Sequence, residues 1–153
     1  MERIASFSVD HNKLECGIYL SRTDHDVDTY DIRLKKPNGG DYLQNAAIHT
    51  SEHLFATFVR NGEFADKIIY FGPMGCRTGY YFLVKGMSGE DVMKTVQQAF
   101  AFIAEYIGEI PGTTAIECGN YLDHDLAGAK RDAVEYLNVI TGYEKNRSLN
   151  YGE

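Results

Sequence analysis

The feature that most constrains this chain is a pair of histidines, His49 and His53, four residues apart in a segment that runs to Asn61. In an α-helix, side chains at positions i and i+4 lie one turn apart on the same face. Apolar residues recur at helical spacing through the same segment: Leu54, Phe55, Phe58 and Val59. The pattern therefore predicts a helix that buries one face and also brings two imidazoles together.

Two imidazoles in this arrangement can share one metal ion, leaving room for a third ligand and an open position. Glu52 precedes the second histidine, near that open position, where its carboxylate can act as a base. The resulting pattern, H-x-x-E-H, is typical of one class of metallopeptidases. In the alternative interpretation, the histidines cap or line a helix and bind nothing, because short motifs also occur by chance.

Size, charge and cysteine content limit the classes of function. The chain has 153 residues, which predicts a single domain over residues 1–153, and its net charge of −7 argues against a nucleic-acid partner. No apolar run approaches the roughly 20 residues of a membrane span, and the first residues lack a signal-peptide pattern, so we expect a cytoplasmic protein. Three cysteines, an odd number, argue against a disulfide framework.

Alternating and apolar segments predict strands at residues 16–20, 30–34, 67–71 and 80–85. Two further helices are predicted, one over residues 91–107 and one that begins at Asp123, with the polar tail 144–153 frayed. We therefore expect an α+β fold, in which an antiparallel β-sheet packs against helices. The predicted inward faces of these two helices are Val92, Val96, Ala99, Phe100, Ile103 and Ile107, then Leu126, Ala129, Ala133, Val134, Leu137 and Ile140.

Three further sites have competing interpretations. Cys76 lies between glycines in a tight loop, so its thiol is either accessible and reactive or a structural loop cysteine. Asp31 and Arg33 share one face of a strand, which predicts an exposed salt bridge of little energetic value. His124, near the start of the last helix, is expected to cap that helix or to face solvent.

Six short motifs occur together, in order and at compatible spacing, and with them the chain resembles the S-ribosylhomocysteine lyase (LuxS, autoinducer-2 synthase) family from Ser6 to about Arg131. One such motif would be weak, but six in order are highly specific. They are Ser6-Phe7 with Asp10-His11-Asn12, Asp31-Ile32-Arg33 with Pro37-Asn38, His49-Thr50 with Glu52-His53-Leu54, Pro73-Met74-Gly75-Cys76 with Thr78-Gly79, Cys118-Gly119, and Leu126 with Gly128-Ala129-Lys130.

The resemblance implies a role for each matching residue. It assigns one divalent metal per subunit to His49, His53 and Cys118, most commonly Fe²⁺, with Zn²⁺ or Co²⁺ as substitutes. It makes Glu52 and Cys76 the general acid/base pair. It also matches three residues to positions that bind the sugar part of the substrate, namely Ser6, His11 and Arg33.

The implied reaction is cleavage of the thioether of S-ribosylhomocysteine to homocysteine and 4,5-dihydroxy-2,3-pentanedione, the autoinducer-2 precursor, through two carbonyl migrations and a β-elimination. Members of the family are homodimers whose active sites lie at the interface. The product would connect the chain to the methyl cycle and to quorum sensing.

Two rival functions remain open at this point. A metallopeptidase would need a downstream glutamate as third ligand and has no use for a thiol at Cys76. A catalytically inactive metal-binding relative is suggested by the departure from the family pattern at Tyr70-Phe71-Gly72, in a region that holds the homocysteine end of the substrate. Ser51 also departs from that pattern. Intact Glu52 and Cys76 argue against that second rival.

Overall fold

A computed structural model describes residues 1–143 and 149–151. It contains four strands and three α-helices. The strands are β1 (Gly17–Asp24), β2 (Val27–Arg33), β3 (Ile68–Pro73) and β4 (Gly79–Lys85). The α-helices are α1 (Asn45–Arg60), α2 (Gly89–Glu105) and α3 (Leu126–Ile140), and short 3₁₀ turns occupy Ala5–Phe7 and Ala65–Lys67.

The four strands form one antiparallel sheet in the order β1-β2-β4-β3. Each outer pair is a hairpin, whereas the central pair, β2 with β4, joins segments on either side of α1 in the chain. In this central pairing, Arg33 lies opposite Gly79 and Ile32 opposite Tyr80. The predicted α+β class, an antiparallel sheet packed against helices, is confirmed.

The helices cover one face of the sheet, and α1 contacts β3 as well as the other two helices. Phe55 of α1 stacks on Phe71 of β3 with ring centroids 3.7 Å apart, and it also meets Phe82 and Phe100 edge-on or tilted. A fully buried phenylalanine stabilises a fold by roughly 2–3 kcal/mol relative to an exposed one. This packing fixes α1, and with it the histidine pair, against the sheet. Among the described residues, no helix combines the length and apolarity needed to cross a bilayer.

Two positions on the predicted inward faces are exposed instead. Ile107 is 89% exposed because α2 ends at Glu105, and Val134 is 51% exposed because α3 turns it away from the core. Helix α3 begins at Leu126, not Asp123, since Asp125 is its N-cap and accepts a hydrogen bond from the backbone N–H of Gly128.

The tail predicted to fray lies partly against the sheet. The carbonyl of Leu149 accepts a hydrogen bond of 2.7 Å from the backbone N–H of Leu20. The hydroxyl of Tyr151 donates to Asp31 Oδ2 over 2.7 Å. The rest of the predicted frayed segment, residues 144–148 and 152–153, lies outside the described residues.

We expect Asp132→Asn to stabilise the protein at neutral pH. Burial raises the pKa of the Asp132 carboxyl from 3.8 to about 6, and no described residue offers a hydrogen bond to its Oδ2. The folded state then holds a proton that the unfolded state releases, so stability falls as pH rises from about 4 to about 6 and stays lower above that range. Two pKa units correspond to about 3 kcal/mol, which partial exposure reduces to about 1–2 kcal/mol.

Urea unfolding at pH 7.5 and pH 4 measures this effect. The variant should gain about 1–2 kcal/mol at pH 7.5 and nearly nothing at pH 4, where the native carboxyl is largely protonated. Asp66→Asn, at an exposed position, is the matched control and should change stability little at either pH. An equal gain for Asp132→Asn at both pH values would contradict the ionisation argument.

Candidate metal centre

Helix α1 presents two histidines and a glutamate on adjacent turns. The rings of His49 and His53 meet edge to face, with centroids 4.7 Å apart, as their i,i+4 spacing predicts. Leu54, Phe55 and Val59 on the same helix are buried in the core. The apolar face therefore holds the helix in place while the imidazoles remain partly accessible.

Cys118 lies in the loop between α2 and α3, where its backbone N–H bonds to the carbonyl of Thr114 in a tight turn. Its sulfur is 3.4 Å from His49 Nε2 and 4.0 Å from His53 Nε2. The structure thus brings together the three residues that the family resemblance assigned as metal ligands, although 65 or more residues separate the cysteine from the histidines.

Backbone carbonyls orient both imidazoles. Nδ1 of His49 lies 2.9 Å from the carbonyl of Asp123, and Nδ1 of His53 lies 2.8 Å from the carbonyl of Pro111. A carbonyl can only accept, so each Nδ1 carries the proton and each Nε2 presents a lone pair towards Cys118. Gly112 has φ of +74°, and a Cβ there would lie 3.3 Å from His53 Nδ1, so a side chain at this position would crowd the ligand.

His124 also belongs to this cluster, and the expectation that it caps a helix or faces solvent is wrong. Its ring stacks on His49 with centroids 3.9 Å apart, and one donor atom from each of four residues, His49, His53, Cys118 and His124, lies within 4.8 Å of the others. Burial lowers the pKa of His124, and the neighbouring His49 and His53 lower it further. The only signal for it in the sequence is its position six residues after Cys118, in the same loop.

Cys76 lies in the turn between β3 and β4 and is exposed, as the accessible interpretation predicted. Its sulfur is 3.0 Å from Thr78 Oγ1, and that hydroxyl accepts a hydrogen bond of 2.8 Å from Arg33 Nη1. Since Thr78 already accepts from the guanidinium, its own proton is available to a Cys76 thiolate. The thiol therefore lies at the end of a hydrogen-bonded chain that begins at a buried cation.

The exposed salt bridge predicted for Asp31 and Arg33 is instead buried, with the two residues 1% and 3% exposed. Arg33 donates from Nε and Nη2 to the two oxygens of Asp31, over 3.0 and 2.6 Å. Burial by itself would lower the pKa of Arg33, but the hydrogen bonds and charge of Asp31 outweigh it and the pKa is raised. Breaking a buried pair of this kind by removing one partner costs about 3–5 kcal/mol.

Glu52 is half-buried on α1, beside His53. Burial raises the pKa of the Tyr80 phenol on β4, and the carboxylates of Asp132 and Glu52 raise it further. Glu52 also follows His49 by three residues on the helix, so its side chain lies on the same stretch of the helix surface as that imidazole. Ser51, which departs from the family pattern, is buried next to Glu52 at 1% exposure.

Neither Ser6 nor His11 belongs to the histidine cluster of this chain. Ser6 lines a surface cleft of about 410 Å³ together with Tyr81 and Leu83 of β4, which point to the opposite face from the buried Tyr80 and Phe82. His11 is partly buried, with Nδ1 2.8 Å from the carbonyl of Val9. Ser6 therefore lies on the sheet face that the helices leave uncovered.

Comparisons with known proteins give one consistent family. A family model described as S-Ribosylhomocysteinase (LuxS) matches residues 4–147. The S-ribosylhomocysteine lyase of Desulfotalea psychrophila is 45% identical over 99% of this chain and 99% of its own length. The proteins of the same name from Phocaeicola vulgatus and Clostridium acetobutylicum are 45% and 43% identical, covering 99% and 100% of this chain and 98% and 100% of their own lengths.

Proposed function

The chain belongs to the S-ribosylhomocysteine lyase family, and on that premise we propose that it cleaves the thioether of S-ribosylhomocysteine, releasing homocysteine and 4,5-dihydroxy-2,3-pentanedione. It is an enzyme, a carbon–sulfur lyase. The observation that carries the proposal is the convergence of His49, His53 and Cys118 beside Glu52, with sulfur-to-nitrogen distances of 3.4 and 4.0 Å.

The bond to be broken explains the kind of site required. A thioether carbon–sulfur bond breaks readily by β-elimination when a carbonyl two carbons from the sulfur-bearing carbon stabilises the negative charge. In the open-chain sugar the carbonyl is at C1, and it must move to C2 and then C3 before the thiol at C5 can leave. Each migration moves one proton between carbons and one between oxygens, so the enzyme must hold and exchange protons at several atoms of one substrate.

Two side chains of this protein are suited to these proton transfers. Glu52 precedes the ligand His53 on α1, so its carboxylate can take and return protons at the substrate atoms nearest the metal site. Cys76 is exposed on the β3–β4 turn, and the hydroxyl of Thr78 supports its thiolate form. A carboxylate and a thiolate in these places form the general acid/base pair of the proposal.

The donor set fits a divalent metal ion. Two imidazoles with lone pairs directed at one thiolate match the nitrogen and sulfur ligands of Zn²⁺, Fe²⁺ and Co²⁺ sites, and we propose Fe²⁺ as the working ion. When bound, such an ion supplies Lewis acidity that polarises a substrate carbonyl. Asp123 and Pro111 hold the two imidazoles in the tautomer that leaves each Nε2 free for it.

We also propose a cytoplasmic homodimer with active sites at its interface. Ser6 lies on the uncovered sheet face, and neither Ser6 nor His11 is part of the histidine cluster of its own chain. In a dimer formed through that face, the N-terminal segment can bind the sugar of the partner's substrate. Arg33 is buried, and its Nη1 donates to the hydroxyl of Thr78, which in turn contacts Cys76. We therefore propose that Arg33 contributes to sugar binding through this side of its guanidinium.

The metallopeptidase alternative finds no support in the described part of the chain, because the donor that meets the two histidines there is Cys118 and not a downstream glutamate. The inactive-relative alternative differs from the proposal only in turnover. An activity measurement therefore separates it from the lyase.

The proposal predicts thiol release from S-ribosylhomocysteine by the iron-loaded protein, followed under anaerobic conditions with a chromogenic disulfide. The 1-O-methyl glycoside of the same substrate is the matched control, because its ring cannot open to give the C1 carbonyl. Release from the free sugar alone would support the carbonyl route. Release from both compounds, or from neither by a metal-replete protein, would contradict the proposal.

A further inference from the structure

Residues 149–151 lie against the sheet, and the proposed mechanism assigns them no role. Leu149 packs against the hydrophobic core, and its carbonyl accepts a hydrogen bond from the backbone N–H of Leu20 on the edge strand β1. Two residues further on, the ring of Tyr151 stacks on Tyr19 of the same strand, with centroids 5.0 Å apart and ring planes inclined by 17°. The segment is therefore fixed to β1 by backbone and side chains alike.

The Asp31–Arg33 pair is buried on the sheet face that the helices leave uncovered. Both residues alternate along β2 with Ile32, which belongs to the core beneath the helices, so their side chains point to the other face. An uncovered sheet face leaves an ion pair open to water, so the burial of this pair has a source other than the helices. Tyr151 is part of that source, because its hydroxyl contacts Asp31.

One carboxylate oxygen of Asp31 joins Tyr151 to Arg33. Oδ2 accepts from the Tyr151 hydroxyl over 2.7 Å and from Arg33 Nη2 over 2.6 Å, while Oδ1 accepts from Arg33 Nε over 3.0 Å. A buried ion pair is stable only when further hydrogen bonds satisfy its remaining lone pairs, and the phenol supplies one. Burial raises the pKa of the Tyr151 phenol, and the charge of Asp31 raises it further, so the phenol remains a donor at neutral pH.

The same phenol also borders the N-terminal segment. A cleft of about 460 Å³ is lined by Tyr151 together with several residues of the range 5–14. Ser6 and His11, which the proposed function assigns to sugar binding, belong to that range. Tyr151 therefore lies where the N-terminal segment meets the strand that carries Arg33.

We propose that Tyr151 is a positioning residue of the sugar-binding site, acting through Asp31 on the guanidinium of Arg33. Its hydroxyl holds the carboxylate in the orientation in which both oxygens accept from Arg33, and this two-pronged contact directs Nη1 at Thr78. Without the hydroxyl, Oδ2 has a lone pair to satisfy, and water takes the place of the phenol. Arg33 is then held less firmly. This inference rests on the proposed function, because it takes the sugar as the ligand of Arg33.

The test compares Tyr151→Phe, which keeps the ring stacked on Tyr19 and removes only the donor, with the unmodified full-length protein. Tyr19→Phe is the matched control, since it removes the hydroxyl of the stacked ring, which donates to the carbonyl of Glu15 over 3.0 Å. The exchange rate of the Arg33 Nε–H with water is measured by NMR on zinc-loaded protein that is ¹⁵N-labelled at arginine. Arg33→Lys identifies the Arg33 signal by its loss. The KM and kcat of thiol release are measured on the iron-loaded protein.

We expect the Arg33 Nε–H to exchange at least about tenfold faster in Tyr151→Phe, and KM to rise about five- to tenfold with kcat within about twofold. The rise in KM is smaller than the full contribution of a hydrogen bond to a charged group, because it is transmitted through Asp31. Tyr19→Phe should match the unmodified protein within about twofold in all three quantities. Unchanged exchange in Tyr151→Phe, or a fall in kcat at unchanged KM, would overturn the inference. Absence of thiol release from the unmodified protein would instead contradict the proposed function, and the exchange rate alone would then decide whether Tyr151 holds the guanidinium.

Discussion

Cys76→Ala lowers thiol release from S-ribosylhomocysteine by about 10²–10⁴-fold, the usual contribution of one positioned acid/base group. The thiol lies on the β3–β4 turn and contacts Thr78, not the histidine cluster. Its removal should therefore abolish proton transfer without changing metal content. The measurement combines steady-state thiol release with metal analysis of the same sample.

Cys16→Ala is the matched control for this experiment. Cys16 is likewise a free cysteine, but it is half-buried and its thiol donates to the carbonyl of Leu34 over 3.3 Å. The control should retain both metal and turnover within about twofold of the unmodified protein. If Cys76→Ala turned over substrate as fast as the control, the assignment of Cys76 to proton transfer would be wrong, and Glu52 would have to serve alone.

Cys118→Ala should differ from Cys76→Ala, since we expect it to lose the metal and the activity together. Without the thiolate, the remaining imidazoles leave the ion with one protein ligand fewer and no protein charge to balance its own. Outer-shell substitutions already weaken metal sites by 10–100-fold, so the loss of a direct ligand should exceed about 100-fold. Competition with a chromogenic chelator measures the affinity, and unfolding by urea checks that the variant is folded.

The pair of cysteine variants must be compared under the same loading conditions. Retention of metal by Cys118→Ala and its loss from Cys76→Ala would show that the two thiols had been assigned in the wrong order. Equal loss from both would indicate that the β3–β4 turn also supports the metal site. Only the first of these results is incompatible with the 3.4 Å approach of Cys118 to His49 acting as a ligand contact.

Local periodicity is sufficient to predict the main elements and the two histidines of the metal site. The i,i+4 spacing of His49 and His53 puts both rings on one face of α1, and period-two alternation puts Asp31 beside Arg33. Cys118 is predicted only through resemblance to a family, because nothing near it in the sequence distinguishes a ligand from an ordinary loop cysteine.

The errors concern tertiary contacts that local patterns do not contain. The Asp31–Arg33 pair is buried because Thr78 reaches it across the sheet and Tyr151 returns from the end of the chain. His124 joins the metal cluster because the α2–α3 loop folds back on α1. Ile107 is exposed because α2 ends before it, and helix ends are set by capping and packing that hydrophobic spacing does not determine.

The order of the strands also bears on how the protein folds. The β1–β2 and β3–β4 hairpins need only short loop closures, and isolated hairpins form within about 1–10 μs. The central β2–β4 pairing closes a chain loop that contains the whole of α1. Where the two strands meet, Thr78 accepts a hydrogen bond from Arg33, 45 residues earlier in the chain. Long-range pairings form late because they carry the larger loop-closure entropy. Until the central pairing forms, Thr78 cannot accept a hydrogen bond from Arg33, so the hydrogen-bonded chain that ends at Cys76 is completed only together with the sheet.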